Sequence, residues 1–236
     1  MKHKIENEPI QPRTQRIIAL DKCAEKLFSL GKTISVPADT VFIQAGDPPD
    51  FCYIIKSGVV VGSEVYSNGM VREGLIMIPN SLIGEAFVLL NEASPITFRT
   101  VFPTELIRIE RDIFLQALSD DPALYKIIVE SLSKKFLSSM DEIRQMACCN
   151  VTWRICNLLE IFASYYGEEI NGKVRISIRL SQQIISKLLC VNRITTVRII
   201  KKMKELHLIE QINGYYWIVS LEALSEYKHE NSDSIT

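Results

Sequence analysis

A stretch near the C-terminal end, residues 180–204, has the pattern of two short amphipathic helices joined by a tight turn. Ser181 is a favourable N-cap for the first helix, and Cys190 and Val191 form the turn. The apolar residues of the first helix recur at three- and four-residue spacing and are Ile184, Ile185, Leu188 and Leu189. This pattern predicts a helix-turn-helix.

The second helix of the pair begins at Asn192, which is also a favourable cap. Its spacing predicts a buried side formed by Val197, Ile200 and Met203. The residues expected to face outward are Arg193, Thr195, Thr196 and Arg198. The outward side therefore carries hydrogen-bond donors and no acidic residue.

The charge around these helices is strongly polarised. Residues 173–204 contain nine Lys or Arg and no Asp or Glu, while the whole chain has a net charge of -1, so the remaining residues sum to -10. A basic segment within an acidic protein is typical of a module that binds a phosphate backbone. A solvated lysine-rich surface would explain the charge, but not why every acid is missing from a helix-turn-helix pattern. The segment favours DNA binding.

The N-terminal half changes from a short predicted helix at residues 14–30 to apolar residues with a period of two. Turn signals separate the runs, and Asn68-Gly69 is the clearest hairpin turn. Many brief strands at this density indicate a closed jelly-roll or barrel. The predicted strands are residues 33–36, 41–43, 51–55, 59–65, 71–78, 81–83, 96–101 and 105–109.

A single helical turn at residues 84–90 interrupts these strands, directly at Gly84. A glycine followed by a short helix inside a barrel would present free N–H groups to an internal cavity, where an anion could bind. The alternative is a corner that only turns the chain, and local sequence does not separate the two. Glu85 and Arg99 are predicted to form a buried ion pair with a structural role. No paired carboxylates, metal-ligand spacing or nucleophile–base pair argues for an enzyme.

A long amphipathic helix begins at Pro122 and is predicted to run for roughly six to seven turns. Its apolar stripe consists of Tyr125, Ile128, Leu132, Phe136, Met140, Ile143 and Ala147. A stripe of this length suits a coiled-coil seam as well as packing on the barrel, and we expect both. The predicted parallel dimer seam is Leu132, Phe136, Met140 and Ile143. Asn150 interrupts the helix, and another amphipathic helix is predicted for residues 152–166.

The composition fits two globular domains, with 236 residues, 47% apolar and 23% charged. The polar ends, residues 1–13 and 228–236, are predicted to be loose tails. No signal peptide or run of about 20 apolar residues is found, so a cytoplasmic protein is expected. Six cysteines lack CxxC spacing and only three histidines are present, so no metal or other cofactor is predicted. Cys148 and Cys149 adjoin the predicted hinge, where a response to oxidation is the alternative to a structural role.

This order of elements resembles the cyclic-AMP receptor protein/FNR superfamily of bacterial transcription regulators. The resemblance covers residues 31–220 and depends on IIKSGV at 54–59, Leu-Ile-Gly-Glu at 82–85, NVTWRI at 150–155 and Thr-Thr-Val-Arg at 195–198. It implies an α+β fold in which residues 206–210 and 215–219 form the wing of a winged helix. The implied domains are a cyclic-nucleotide-binding-like jelly-roll sensor at 1–120, a long dimerisation helix at 121–149 and a winged helix-turn-helix at 150–236.

The sequence departs from the sensor residues of that family. An Arg-Ser pair holds the cyclic phosphate in cyclic-AMP binders, but Pro95 and Ile96 occupy those places. Arg99 could replace the arginine only if the register were shifted. The N-terminal cysteine cluster of FNR is not matched, because Cys23 stands alone there. The three histidines lie outside the predicted barrel, which disfavours a haem sensor. These departures imply an effector other than cyclic AMP.

Residues 190–198 and 81–84 are similar to the halorespiration regulators, which sense chlorinated aromatic acids or phenols. In that subgroup a lysine of the long helix pairs with the phenolate, and Lys135 occupies the matching place. The alternative is a lysine on a solvated face. The resemblance implies an organic anion as effector, bound in one cavity by Gly84, Glu85, Phe98, Arg99, Lys135 and Ser139.

The resemblance implies a homodimeric transcription regulator that binds a DNA palindrome, with RNA polymerase as a partner if it activates. The predicted DNA contacts are Ser181, Gln182, Asn192, Arg193, Thr195, Thr196, Arg198 and Lys201. Ile194 replaces the glutamate of the cyclic-AMP branch, which predicts a different and A·T-rich operator. The alternative is a small-molecule-binding or redox-responsive regulator that acts through protein contacts, whose DNA affinity would lack a steep salt dependence.

Overall fold

The computed structural model describes residues 17–18, 25–67 and 71–231. The chain begins with a β-barrel. Its elements are β1 Ile17–Ile18, α1 Glu25–Phe28, β2 Lys32–Val36, β3 Val41–Ile43, β4 Phe51–Ser57, β5 Val60–Val65, β6 Val71–Met77, β7 Leu82–Ile83, α2 Glu85–Leu90, β8 Thr97–Thr100 and β9 Thr104–Glu110. All eight predicted strands are therefore present, with small shifts at their ends. The predicted Asn68-Gly69 turn lies outside the described residues.

Two sheets form the barrel, with strand orders β1-β6-β5-β8-β3 and β2-β9-β4-β7. Alternation along each strand places one set of side chains between the sheets. The buried residues of that interior are Ile43, Tyr53, Ile55, Val60, Met77, Ile83, Phe98 and Leu106. The predicted jelly-roll is confirmed.

Both predicted chain ends need correction. The helix predicted for residues 14–30 is wrong at Ile17–Ile18, which pair with β6 as a parallel strand, and only Glu25–Phe28 is helical in the described part. Two adjacent β-branched residues favour a strand over a helix. The loose tail predicted from residue 228 is wrong at its start, because Lys228 lies in a helix, is 2% exposed and forms an ion pair with Glu160.

Two helices, α3 Arg111–Asp120 and α4 Ala123–Cys148, follow the barrel. Helix α3 was not predicted, whereas α4 confirms the long helix. The predicted apolar stripe divides between two sides of α4: Ile128 is buried, while Phe136 and Ile143 are 65% and 59% exposed. A single stripe was therefore too simple a description, because one side of α4 packs within the chain and another remains apolar and exposed.

The C-terminal region is a winged helix. Its elements are α5 Val151–Tyr166, β10 Gly167–Ile170, β11 Lys173–Ile176, α6 Gln182–Leu189, α7 Arg193–Glu205, β12 Ile209–Ile212, β13 Tyr215–Ile218 and α8 Leu221–Glu230. The predicted wing is confirmed as β12 and β13, joined by Asn213 and Gly214, whose φ angles are 53° and 85°. Strands β10 and β11 and helix α8 were not predicted. Asn171-Gly172, with positive φ at both residues, was the available hairpin signal for β10 and β11.

The barrel and the winged helix share one hydrophobic core. Val59, Val61, Ile76 and Ile78 of the barrel pack into the cluster formed by α5 to α8. Two hydrogen bonds cross the same interface: the Tyr166 hydroxyl donates to the Gly58 carbonyl at 3.0 Å, and the Cys190 thiol donates to the Glu73 carbonyl at 2.9 Å. In this conformation the winged helix is packed against the barrel of the same chain.

Among the described residues, no helix combines the length and apolar character needed to cross a bilayer. The same residues contain no group of three His, Cys, Asp or Glu side chains arranged to hold a metal ion.

Candidate DNA-binding surface and effector cavities

Side-chain caps fix the geometry of the helix-turn-helix. The Ser181 hydroxyl accepts a hydrogen bond from the Ile184 amide at 3.1 Å, and the Asn192 side chain accepts from the Ile194 amide at 2.8 Å. Between the two helices Cys190 adopts a left-handed conformation with φ of 51°, which turns the chain sharply. Both predicted caps and the turn are confirmed.

A residue that sequence reasoning missed holds this motif on α5. The Arg154 guanidinium donates to the carbonyl of Leu189, the last residue of α6. A charged donor at a helix C-terminus satisfies an end carbonyl and complements the helix dipole. Arg154 therefore positions the helix-turn-helix relative to the helix that follows the hinge.

The exposed side of α7 is rotated by about one residue from the predicted one. Thr196 is completely buried and its hydroxyl donates to the Asn192 carbonyl at 3.3 Å, whereas Val197 is 38% exposed. The prediction that Thr196 faces outward and Val197 inward is therefore wrong, because Ile199 and Ile200 together fix the buried side. The exposed residues of α7 are Arg193, Ile194, Val197, Arg198, Lys201, Lys202 and, at its last position, Glu205.

The other predicted DNA contacts differ in exposure. Ser181 and Asn192 are exposed at the starts of their helices, whereas Gln182 and Thr195 are partly buried. Lys201 is exposed but lies 3.8 Å from the Glu205 carboxylate. All the predicted DNA contacts except Thr196 are therefore at least partly exposed, although Ser181 also lines the cavity between the barrel and α6.

Acidic residues from outside the acid-free segment, residues 173–204, neutralise part of its positive charge. Lys173 pairs with Glu210 at 2.7 Å and Arg175 pairs with Glu168 at 2.5 Å. Five exposed basic residues of the segment have no ion pair within the described part of the chain, and these are Arg179, Lys187, Arg193, Arg198 and Lys202. Three of the five lie on α7, so most of the uncompensated positive charge is on the helix with the exposed side chains.

The predicted Glu85–Arg99 ion pair is wrong. Glu85 is fully buried and pairs with Lys135 of α4, and its carboxylate also accepts from the Ser131 hydroxyl at 2.7 Å. The Lys135 side chain is 17% exposed, so the alternative of a solvated lysine is also wrong. Burial of a carboxylate is tolerated when a cation and a hydroxyl bind it, and here both bind Oε1, whereas Oε2 has no hydrogen-bond partner among the described residues. This contact joins α2 to α4.

Arg99 lies on the opposite side of β8 from the barrel interior. It pairs with Glu73 and Asp39, whereas its neighbour Phe98 is 2% exposed within the barrel core. Alternation along the strand requires this separation. Arg99 therefore cannot replace the missing phosphate-binding arginine.

The residues predicted for one effector site are divided among separate cavities. A cavity of about 240 Å³ between the barrel and α4 is lined by Gly62, Glu64, Arg72, Gly74, Leu75, Ile96, Ser139, Glu142 and Ile143. Arg99 borders a different cavity, between the barrel and α6, and Gly84 borders a third, of about 180 Å³. The single predicted cavity is wrong, and Ser139 alone of the six lines the space beside the long helix.

The thiols differ in environment. Burial raises the pKa of Cys156 to about 12 and also raises the pKa of Cys149. Cys148 is exposed, and Cys149 is 8% exposed. A protonated, buried thiol is a poor nucleophile, so Cys149 and Cys156 are suited to packing.

Two family models match the chain. The model for the cyclic nucleotide-binding domain matches residues 33–121, and the model for the Crp-like helix-turn-helix domain matches residues 154–227. The first contains the barrel, and the second contains the helix-turn-helix with its wing.

A relative is similar to this chain in sequence, and two solved structures are similar to it in fold. The global nitrogen regulator of Synechococcus elongatus is 26% identical over 184 residues, which are 77% of this chain and 79% of the relative. The transcriptional regulator TTHA1359 of Thermus thermophilus, of the CRP/FNR family, has a TM-score of 0.69 at 20% identity over 85% of this chain and 100% of that chain. CprK complexed with OCPA has a TM-score of 0.65 at 16% identity over 89% and 98% of the two chains.

Likeness to the two solved structures at this identity establishes the fold. With both domain models matched in order, the chain belongs to the Crp/Fnr family of DNA-binding transcription regulators.

Proposed function

We propose that the protein is a homodimer that binds palindromic DNA under the control of a small organic anion. The observation that carries the dimer is the apolar, exposed side of α4, which includes Phe136 at 65%, Met140 at 44% and Ile143 at 59% exposure. Exposed apolar rows along a 26-residue helix are unfavourable in water and suit a coiled-coil partner. A second copy of the same helix would cover them.

The proposed base contacts come from α7. Arg193 and Arg198 are suited to guanine edges or phosphates, while Ile194 and Val197 are suited to thymine methyl groups. Thr195, Ser181, Gln182, Asn192 and Lys201 would anchor the phosphate backbone. Because apolar side chains stand beside the arginines, we infer an A·T-rich operator.

The proposed effector site is the cavity between the barrel and α4. Gly62 and Gly74 leave space on one wall, and Ser139 provides a hydroxyl on the other. Among the described residues that line the cavity, Arg72 is the only basic one, and it lies 3.5 Å from the Glu142 carboxylate. An organic anion could replace Glu142 as the partner of Arg72 through charge-assisted hydrogen bonds. Lys135, by contrast, is already paired with Glu85.

The position of this cavity suggests a mechanism. Ile143 lines the cavity and also belongs to the proposed dimer seam. An effector that moves Ile143 would change the packing of the two α4 helices. The winged helices would then be re-aimed about Asn150, which caps α5.

Selection of binding sites by the purified chain tests this function. We expect an A·T-rich palindrome with half-sites one helical turn apart and affinity that falls steeply with salt. Arg198→Ala should weaken binding by about 1–3 kcal/mol if Arg198 contacts a base edge. Lys126→Ala, at an exposed lysine at the start of α4, is the control. An unchanged footprint with Arg198→Ala would refute the assignment, and salt-independent binding would favour a protein partner.

A further inference from the structure

The third cavity, which Gly84 borders, lies at one end of the barrel, between the loop at residues 44–50 and α2. Its volume is about 180 Å³, and it shares no lining residue with the proposed effector cavity. The residues that line it are Phe42, Ile43, Asp47, Pro48, Pro49, Asp50, Phe51, Tyr53, Gly84, Phe87 and Ser94. Nothing in the proposed function uses this space.

Aromatic rings form much of its wall. Phe42 and Tyr53 are packed edge to face with ring centroids 5.1 Å apart, and Phe51 lies 6.3 Å from Tyr53. The Phe51 ring already carries a cation, since the Arg108 guanidinium lies 4.7 Å from its centroid. Ring faces attract cations, most strongly where water is excluded.

The charged groups that line the cavity are both acidic. The Asp47 carboxylate accepts from the Gln44 amide at 2.7 Å, which fixes it in the loop. The Asp50 side chain is exposed and has no hydrogen-bond or ion-pair partner within the described part of the chain. The cavity therefore combines aromatic faces with two carboxylates and no basic lining residue.

The Tyr53 phenol also lines this cavity. Tyr53 is 7% exposed as a whole residue, and its hydroxyl forms no hydrogen bond with a described residue. Burial raises the pKa of Tyr53, Arg108 opposes that increase, and the nearby carboxylates of Asp47 and Asp50 add to it. A neutral phenol beside two carboxylates can bond to a polar group that enters the cavity.

We propose that this cavity binds a small organic cation, such as an alkylated ammonium group. The rings would contact the alkyl groups, the carboxylates would balance the charge, and Tyr53 would accept or donate one hydrogen bond. The size is suitable, because an engineered cavity of about 150 Å³ is large enough for benzene. Primary and quaternary ammonium groups are both included, because aromatic rings and carboxylates attract either cation.

The cavity is connected to the long helix through α2. Gly84 lines the cavity, and the next residue, Glu85, is paired with Lys135 of α4. Gly84 has φ of 89°, and an added Cβ would lie 2.9 Å from the Phe51 carbonyl, so the backbone here is closely packed. A cation in the cavity therefore contacts the segment that holds Glu85 against α4.

Choline and its neutral carbon analogue, 3,3-dimethylbutan-1-ol, test the proposal by titration calorimetry on the full chain. We expect choline to bind roughly fivefold or more tightly than the alcohol, as a cation–π contribution of about 1 kcal/mol implies. Asp50→Asn should remove most of that preference and leave the fold intact, because the Asp50 side chain has no described partner. Phe87→Leu should weaken the binding of choline, because it removes an aromatic ring while keeping an apolar side chain.

Glu92→Gln, at an exposed residue that does not line the cavity, is the matched control and should bind like the wild type. Equal binding of choline and the alcohol would show an apolar cavity and overturn the proposal, as would no binding of either. Neither result depends on DNA, so the proposed function is tested separately.

Discussion

Ile194 has the highest exposure of the large apolar side chains in the described part of the chain, at 79%. It is the second residue of α7, next to Arg193, and its amide is bound by the Asn192 cap. An exposed isoleucine costs solvation free energy in the unbound protein and is suited to an apolar surface such as a thymine methyl group. Its position therefore supports the inference of an A·T-rich operator.

Ile194→Glu is the corresponding test at the residue scale. A carboxylate accepts from the cytosine amino group, so the substitution should move the preferred base pair at one position of each half-site from A·T to C·G. We expect a change in discrimination of about 1–3 kcal/mol at that position. Binding-site selection with both proteins measures it, with Ile113→Glu on α3 as the control. An unchanged preferred sequence would mean that Ile194 does not face the bases.

Residue-scale predictions succeeded where the cause is local. Ser181 and Asn192 were predicted as caps, and each accepts a hydrogen bond from an amide two or three residues ahead. The orientation of Thr196 and the partner of Glu85 were predicted wrongly. Both depend on how a helix is rotated against distant elements, which local spacing does not determine.

At the scale of elements, the cavity between β6 and α4 depends on a missing side chain. An added Cβ at Gly74 would meet only the Glu142 carboxylate, at 3.9 Å. A larger side chain there would occupy the cavity without displacing backbone. A single substitution at Gly74 can therefore fill the proposed effector cavity.

Gly74→Leu should leave the barrel folded and weaken binding of an aromatic carboxylate, such as 4-hydroxyphenylacetate, by tenfold or more. Binding stabilises the folded state by about 2.7 kcal/mol at a ligand concentration of 100 times Kd, so thermal unfolding reports it. Val71→Leu, at an exposed residue of the same strand, is the matched control. If the ligand still stabilises Gly74→Leu, it binds elsewhere. If the ligand does not stabilise the wild type, 4-hydroxyphenylacetate is not an effector.

The elements themselves were predictable to different degrees. The barrel strands were found because short apolar runs lie between turn signals, and because several of these runs alternate. Strands β10 and β11 were missed, although Asn171-Gly172 marks their turn, because their sequences, GEEI and KVRI, contain few apolar residues. Helix α8 was missed because its sequence, with few apolar residues, is polar enough to resemble a tail.

For the whole molecule, the shared core constrains how a signal can travel. Val59, Val61, Ile76 and Ile78 pack on the winged helix, while Val60 and Met77 between them face the barrel interior. Uninterrupted apolar runs, here at residues 59–61 and 76–78, are typical of strands covered on both faces, so the sequence carried a signal of this contact. Re-aiming the winged helix about Asn150 must shift or separate this interface.

Assembly of two chains is the last step that the proposed function requires. Phe136→Asp would place a carboxylate in the apolar seam of both copies, where an unpaired buried charge is strongly unfavourable. A loss of roughly 2 kcal/mol or more per copy is expected for a central aromatic contact. Analytical ultracentrifugation should therefore show a dimer for the wild type and a monomer for Phe136→Asp, with weaker binding to the palindrome because half-sites are no longer bound together.

The control is Ile113→Asp, at an exposed isoleucine of α3, which should remain a dimer. If Phe136→Asp still sediments as a dimer, α4 is not the seam, and the link from the cavity through Ile143 to the DNA-binding surface would have to be abandoned.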